Sequence, residues 1–206
     1  MEDVLEVYKK PYDPLRPIVC MDETNRQLIG EVAAPIPMAA GHPQIYDYEY
    51  VRNGVVDIFM MFEPLAARRY TEVTDMRTKI DFAHCLRDLS DKYYKYAEKI
   101  VIVMDNLNTH NLASLYEAYS PDEARRLAER FEVHYTPKHG SWLNMAETEI
   151  GVMSRQCLRH RIPTKEEMAH QIKAWTCSRN SANLSVDWRF TTEDARIKLK
   201  RLYPKF

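Results

Sequence analysis

The chain has 206 residues, of which 45% are hydrophobic and 29% charged, and its formal net charge is −1. This composition is that of a globular protein with a full hydrophobic core, and it excludes a disordered or fibrous chain. No apolar run approaches the roughly 20 residues that a membrane helix needs, and the charged N-terminus lacks the apolar stretch of a signal peptide. We therefore expect a cytoplasmic protein with no membrane partner.

Charge is unevenly distributed along the chain. Residues 152–206 contain 12 Lys and Arg against 5 Asp and Glu, a local balance of +7, whereas residues 1–151 contain 17 against 25, a balance of −8. A basic segment can contact phosphates even when the whole chain is nearly neutral. A solvated helical face would have the same composition, so charge alone does not decide between the two. We expect one domain, with residues 161–206 as a basic helical C-terminal extension.

The first half of the chain predicts strands. Residues 18–22 form a short apolar run, which is typical of a buried strand. Residues 46–52 alternate between aromatic and polar side chains, Asn53 and Gly54 suit a type I′ turn, and residues 55–62 form a second apolar run. We therefore predict a β-hairpin at 46–62.

The second half alternates between helices and strands. Residues 78–94 read as a helix with Ile80, Ala83 and Leu86 on its buried face. Beyond it, strands are predicted at 100–105 and 131–135, and helices at 121–130, 144–159, 164–179 and 192–202. A hairpin followed by alternating strands and helices favours an α/β fold in which helices pack on a mixed sheet.

Three acidic residues occupy positions that packing does not explain. Asp22 and Asp105 each end an apolar run, and Glu147 lies just inside the helix predicted at 144–159. Functional groups gather at strand ends in such sheets, so the two aspartates converge if their strands are neighbours. Carboxylates suit Mg²⁺ or Mn²⁺, and a third carboxylate allows two ions about 3.5–4 Å apart.

Each of these carboxylates also has a structural interpretation. Asp22 and Asp105 are both followed by polar residues and could simply begin turns. Glu147 stands three residues after Asn144, the capping-box position, where it would satisfy a backbone N–H. Glu149 flanks the same apolar stripe of the helix on its other side, so helical spacing does not choose between Glu147 and Glu149.

Several polar and aromatic residues near these carboxylates have two interpretations. His110 could be a ligand or a base, although a hydrogen-bonding structural role is the more common one at such a junction. Trp142 could stack on a base or anchor the start of a helix. Lys138 and His139 could meet a phosphate or belong to a solvated turn.

The cysteines do not indicate a metal site. Cys20, Cys85, Cys157 and Cys177 form no Cys-x-x-Cys pair and no cluster with zinc spacing. We expect buried free thiols in a reducing compartment.

Three motifs together resemble the DDE transposases of the IS630/Tc1/mariner superfamily, and most closely the bacterial IS630 type. They are MDET at 21–24, MDNLNTH at 104–110 and HYTPKHGSWLNMAETE at 134–149. The block DWRFTTEDARIK at 187–198 is similar to the C-terminal end of that group. The resemblance spans nearly the whole chain.

The resemblance implies an RNase H-like fold with a mixed five-stranded sheet flanked by helices. Residues 1–160 would form the DDE catalytic domain, and 161–206 its basic helical extension. It also implies that Asp22 and Asp105, on the first and fourth strands, and Glu147, on a later helix, are both the catalytic residues and the ligands of two Mg²⁺ or Mn²⁺ ions. The Leu-Asn-x-x-Glu pattern of the superfamily selects Glu147 over Glu149.

The implied activity is metal-dependent DNA cleavage and strand transfer, the phosphoryl-transfer chemistry of cut-and-paste transposition of an insertion sequence. The partners would be the double-stranded DNA of transposon ends and target and a second copy of the chain, in a bacterial nucleoid. The candidates for DNA contact are Lys138, His139, Trp142, Arg155 and Arg159.

One departure from the superfamily concerns the N-terminus. Asp22 leaves no room before it for the usual N-terminal helix-turn-helix domain, so we expect that domain to be absent from this chain. The chain is then either a fragment or one product of a split or truncated gene, and a separate end-binding helix-turn-helix protein is a candidate partner. A truncated, non-catalytic assembly or inhibitory module is the alternative function, and another RNase H-like nuclease is a further one.

Overall fold

The computed structural model describes residues 1–45, 47–107, 110–138 and 140–203 and contains a five-stranded mixed sheet. The strands are β1 (Ile18–Glu31), β2 (Tyr50–Glu63), β3 (Arg68–Thr74), β4 (Ile100–Met104) and β5 (Phe131–Tyr135). Their order in the sheet is β3-β2-β1-β4-β5. The first three strands are antiparallel neighbours, whereas β4 runs parallel to both β1 and β5.

Helices cover both faces of the sheet. They are α1 (Glu2–Tyr8), α2 (Lys79–Asp88), α3 (Leu115–Ala118), α4 (Pro121–Ala128), α5 (Met145–Gln156), α6 (Lys165–Ser181) and α7 (Thr192–Lys198). One face packs against α2, α3 and α4, and the other against α1, α5, α6 and α7. No helix in these ranges is both long and apolar enough to cross a membrane.

Alternation along the strands sorts their side chains between the two faces. Cys20 of β1 and Val103 of β4 belong to the core under α5, whereas Met21 and Met104 belong to the core under α2. Because successive strand residues point to opposite faces, Asp22, two residues after Cys20, faces α5. The parity of β4 places Asp105, directly after its last residue, on the same side.

The structure corrects the strand predictions in two places. Asp22 does not end its strand, because β1 continues to Glu31. The part of β1 beyond Asp22 pairs with β2 and is only partly buried. It therefore contains polar side chains and does not appear as an apolar run in the sequence. Asn53 and Gly54 do not form a turn but lie within β2, opposite the register shift between Gln27 and Ile29 of β1. Gly54 takes φ +111° there, and two residues oppose one as in a β-bulge.

The predicted strands β4 and β5 and the predicted helices α4 to α7 agree closely with the structure, whereas α1, α3 and β3 lie in stretches with no predicted element. The helix predicted at 78–94 differs. It divides into α2 and a π-helical turn at Leu89–Tyr93, and Ile80 is 46% exposed rather than buried. In the C-terminal part, Ile172 and Trp175 of α6 and Ala195 of α7 join the core under α5. This part of the chain is therefore packed onto the sheet.

The four cysteines are free thiols in unequal surroundings. Cys20 and Cys85 are buried, Cys157 is half-buried and Cys177 is exposed on α6. The expectation of buried thiols is therefore wrong for Cys177.

Candidate active site

Asp22 and Asp105 lie side by side at the junction of the two central parallel strands. Ile18 pairs with Val101 and Cys20 with Val103, so the same register, continued by two residues, sets Asp22 opposite Asp105. Neighbouring strands are about 4.8 Å apart, and both carboxylates face α5. Pairing between β1 and β4 ends at Cys20, which leaves space above the aspartates for a ligand.

Asp22 is held firmly. It is 9% exposed, its Oδ1 accepts the backbone N–H of Glu23 at 2.8 Å, and its Oδ2 accepts the Asn144 side-chain amide at 3.3 Å. That amide also donates to the carbonyl of Met21 at 2.7 Å, so it ties the start of α5 to β1. Burial, together with the negative charges of Glu23 and the other two acidic residues, raises the pKa of Asp22 to about 7.

Glu147 is exposed in the first turn of α5, and its carboxylate makes no hydrogen bond or ion pair with any residue that the structure describes. The capping box allowed by its spacing does not form. The N–H of Asn144 donates to the Ser141 carbonyl at 2.7 Å, and the Asn144 side chain accepts from Ala146 N–H at 3.1 Å. The Asn144 N–H therefore does not donate to the Glu147 carboxylate.

Both carboxylate oxygens of Glu149 are bound to arginines away from the two aspartates. It is completely buried, and its two carboxylate oxygens accept from Arg69 of β3 at 2.8 Å and Arg179 of α6 at 3.0 Å. Arg69 is itself fully buried and lies over the ring of Phe62 at 4.6 Å. This network locks α5 against β3 and α6. Of the two glutamates, only Glu147 is open to a ligand.

His110 bridges two carboxylates. Its Nδ1 contacts Asp105 and its Nε2 lies 2.8 Å from Glu23 Oε2, and the imidazole and Glu23 side chains are each 2% exposed. Burial alone would lower the pKa of His110, but the Asp105 and Glu23 carboxylates outweigh it and raise the pKa to about 9. Through these two contacts His110 orients Asp105, which agrees with the structural interpretation of this histidine.

Glu23 is the residue that sequence reasoning missed. It was counted only among the polar residues after Asp22, yet it is buried against His110 and accepts from Arg77 at 3.2 Å. The available signal was a second carboxylate next to Asp22, within a strand longer than its apolar run.

The predicted DNA-contact residues occupy different surroundings. Lys138 is exposed on an open cleft of about 470 Å³ that it shares with Asp105, Thr136 and Ser141. Arg155, in the last turn of α5, and Arg159, just beyond it, are exposed and make no ion pair within the described ranges. His139 lies outside the described residues.

Trp142 belongs to an aromatic cluster. Its ring stacks on Trp188 at 6.4 Å and meets the edge of Phe190 at 5.2 Å, and Trp188 in turn meets Tyr8. This agrees with an anchoring role before α5. The side chain is still 40% exposed.

The basic C-terminal part is less positive locally than its composition suggests. Six of its cations pair with carboxylates, namely Arg161, Lys165, Arg179, Arg189, Arg196 and Lys198. Among the described residues of this part, Arg155 and Arg159 are exposed cations without an ion pair and are therefore the better candidates for phosphate contact.

The three carboxylates offer oxygen ligands to a hard divalent cation. Among the described residues, no Lys or Arg pairs with Asp22, Asp105 or Glu147. In the same ranges, no three His, Cys, Asp or Glu side chains are grouped closely enough to hold a metal ion as they stand. The donor chemistry thus fits Mg²⁺ or Mn²⁺, and a side-chain rotation would have to complete the set.

Comparison with solved structures identifies the fold. The chain superposes on the Mos1 mariner paired-end complex with Mn at a TM-score of 0.57 and 15% identity, covering 87% of this chain and 54% of that one. For the Mos1 strand transfer complex the TM-score is 0.58 at 15% identity, covering 85% and 51%. The Mos1 paired-end complex with the left transposon end gives 0.57 at 13% identity, covering 88% and 56%. The predicted RNase H-like fold is therefore confirmed.

The present chain spans about half the length of these matched chains. No curated protein matches it in sequence. A family model, however, matches residues 17–169, which include all three acidic residues. By this match, the chain belongs to the DDE superfamily endonuclease family.

Proposed function

We propose that this chain is a transposase catalytic domain that cleaves and transfers DNA strands of an insertion sequence. The observation that carries the proposal is that Asp22 and Asp105 lie on one side of the sheet just beyond the end of the β1–β4 pairing, facing the helix that carries the unpaired Glu147. Membership of the endonuclease family supports it. So does the likeness in fold to paired-end and strand transfer complexes.

The three carboxylates differ in whether neighbouring groups fix the orientation of their side chains. Asn144 and the Glu23 N–H orient Asp22, and His110 orients Asp105. Glu147 has no such partner, so its side chain can turn toward the aspartates as a ligand arrives. Two Mg²⁺ or Mn²⁺ ions, when bound, would activate the attacking oxygen and stabilise the leaving oxygen of a phosphodiester.

The substrate in this proposal is double-stranded DNA, both transposon end and target. Water attacks first, and the DNA 3′-hydroxyl that this releases then attacks the target in line. Lys138, on the cleft that reaches Asp105, can meet a backbone phosphate, and Arg155 can meet another. The exposed face of Trp142 can stack on a base near the same cleft.

The proposed assembly is a homodimer on paired transposon ends. Sequence-specific recognition of the ends would come from a helix-turn-helix protein. These two partners rest on the family resemblance and on the paired-end complexes to which the fold is similar.

Nicking of supercoiled plasmid in Mn²⁺ tests the proposal. Wild-type protein should convert the plasmid to open circles, and Asp105→Ala should not. Glu129→Ala, an exposed change on the opposite side of the sheet, is the matched control and should behave as wild type. Equal nicking by Asp105→Ala would overturn the assignment. A folded wild-type protein that neither nicks nor binds Mn²⁺ would favour the non-catalytic assembly module.

A further inference from the structure

A second cleft, of about 370 Å³, opens between β1 and the segment that joins α5 to α6. Its lining includes Arg26 of β1 together with Arg159, His160 and Arg161 of the joining segment. The wall is fixed, because Ile162 accepts a backbone hydrogen bond from Ile29 at 2.9 Å. The cleft is therefore a formed feature of the fold with a basic lining.

The three arginines that line this cleft differ in whether their charge is paired with a carboxylate. Arg161 pairs with Glu31 and also donates to two backbone carbonyls. Arg159 makes no hydrogen bond or ion pair with any residue in the described ranges. Arg26 donates to the neutral Ser154 hydroxyl, and its buried Nε has no acceptor there. Because no carboxylate pairs with Arg26 or Arg159 among the described residues, both positive charges are available to an anionic partner such as phosphate.

The cleft is aligned with the three carboxylates. Arg26 and Asp22 are four residues apart on β1, so they share one face and lie about 13 Å apart. Helix α5 follows the same path, because Asn144 at its start contacts Asp22 and Ser154 near its end contacts Arg26. At about 3.4 Å per base pair, this distance corresponds to roughly four base pairs of duplex DNA.

We propose that the cleft of Arg26, Arg159 and His160 binds a backbone phosphate of the DNA, about four base pairs from the bond that is cut. The inference rests on the proposed function for the identity of the ligand. The contact is a charge-assisted hydrogen bond to phosphate oxygen, which is independent of sequence and fixes the register of the duplex.

Fluorescence anisotropy tests this site in the absence of metal. It measures the binding of a labelled duplex of arbitrary sequence in EDTA, at salt concentrations from 50 to 200 mM. Arg159→Ala and Arg26→Gln should each weaken binding roughly three- to tenfold and lower the slope of log K against log salt by about one. The matched control is Arg125→Ala on α4, which removes an exposed arginine on the other face and should change neither quantity.

Three results would overturn the site. The first is that both cleft variants bind the duplex with wild-type affinity and salt slope. The second is that wild-type protein shows no measurable duplex binding at 50 mM salt. The third is that millimolar inorganic phosphate competes fully with the duplex through the same residues. Arg159 is exposed, so its variant remains informative even if Arg26→Gln disturbs folding. If both cleft variants weaken duplex binding as expected but wild-type protein does not nick plasmid, the phosphate site stands and the proposed catalysis is contradicted.

Discussion

Glu147 and Glu149 differ by two positions on one helix, and the structure predicts opposite consequences of removing them. Glu149→Ala would leave Arg69 fully buried with its charge no longer paired, since Glu149 is the carboxylate that contacts its guanidinium in the described structure. Removing one partner of a buried ion pair typically costs about 3–5 kcal/mol. Glu147→Ala removes an exposed side chain without partners, which should change stability by no more than about 0.5 kcal/mol.

Urea unfolding followed by circular dichroism measures both changes. Glu149→Ala should lower the midpoint with an unchanged slope, and its melting temperature should fall by roughly 6–20 °C for a domain of this size. Glu147→Ala should unfold with wild-type parameters, yet lose Mn²⁺-dependent nicking. Replacing both Arg69 and Glu149 by apolar residues of similar volume should recover part of the lost stability, because the fully buried charge of Arg69 is then removed while Arg179 still loses its carboxylate partner.

Wild-type stability in Glu149→Ala, or a larger loss of stability in Glu147→Ala than in Glu149→Ala, would contradict these roles of the two glutamates. Retained nicking in Glu147→Ala would separately remove that residue from the site. The pair is informative because the two substitutions delete the same atoms from the same helix.

Three further outcomes are expected. His110→Asn should weaken Mn²⁺ binding by roughly ten- to a hundredfold in calorimetry, because residues that orient ligands have effects of that size, and unchanged affinity would contradict its orienting role. A thiol reagent at pH 8 should label exposed Cys177 within minutes and spare native Cys20, whose pKa burial raises to about 11, and rapid labelling of Cys20 would contradict its burial. Gly140→Ala should reduce nicking, because a Cβ there would lie 2.6 Å from Pro137 and displace the loop before α5, whereas wild-type nicking would show that the loop adapts.

The sequence predicts those parts of the fold whose causes are local. Strand β4 is a continuous apolar run, β5 alternates apolar and polar side chains, and α4 begins with Pro121 after Ser120. The second half of β1 has no such signal, because its pairing with β2 is set by distant residues. The Asn53–Gly54 pair suits a hairpin turn locally, but the long pairing of β1 with β2 overrides that preference and makes it a bulge.

The candidate site divides in the same way. The two aspartates could be found because each follows an apolar run and the strands prove to be neighbours. The choice between Glu147 and Glu149 could not be made from spacing, because it depends on Arg69 and Arg179, which lie 80 and 30 residues away from Glu149 in the chain. The burial of Glu23 against His110 likewise depends on contacts between separate elements.

In the proposed function, Asp22, Asp105 and Glu147 together form one metal site. Cleavage of the protein backbone by bound Fe²⁺ with ascorbate and peroxide maps such a site directly, because the radicals act only near the ion. We expect cuts in the backbone close to residues 22, 105 and 147. Excess Mg²⁺ should suppress these cuts, and the Asp105→Ala protein should not show them. Cuts elsewhere, or cuts at these positions that persist in excess Mg²⁺, would contradict this metal site.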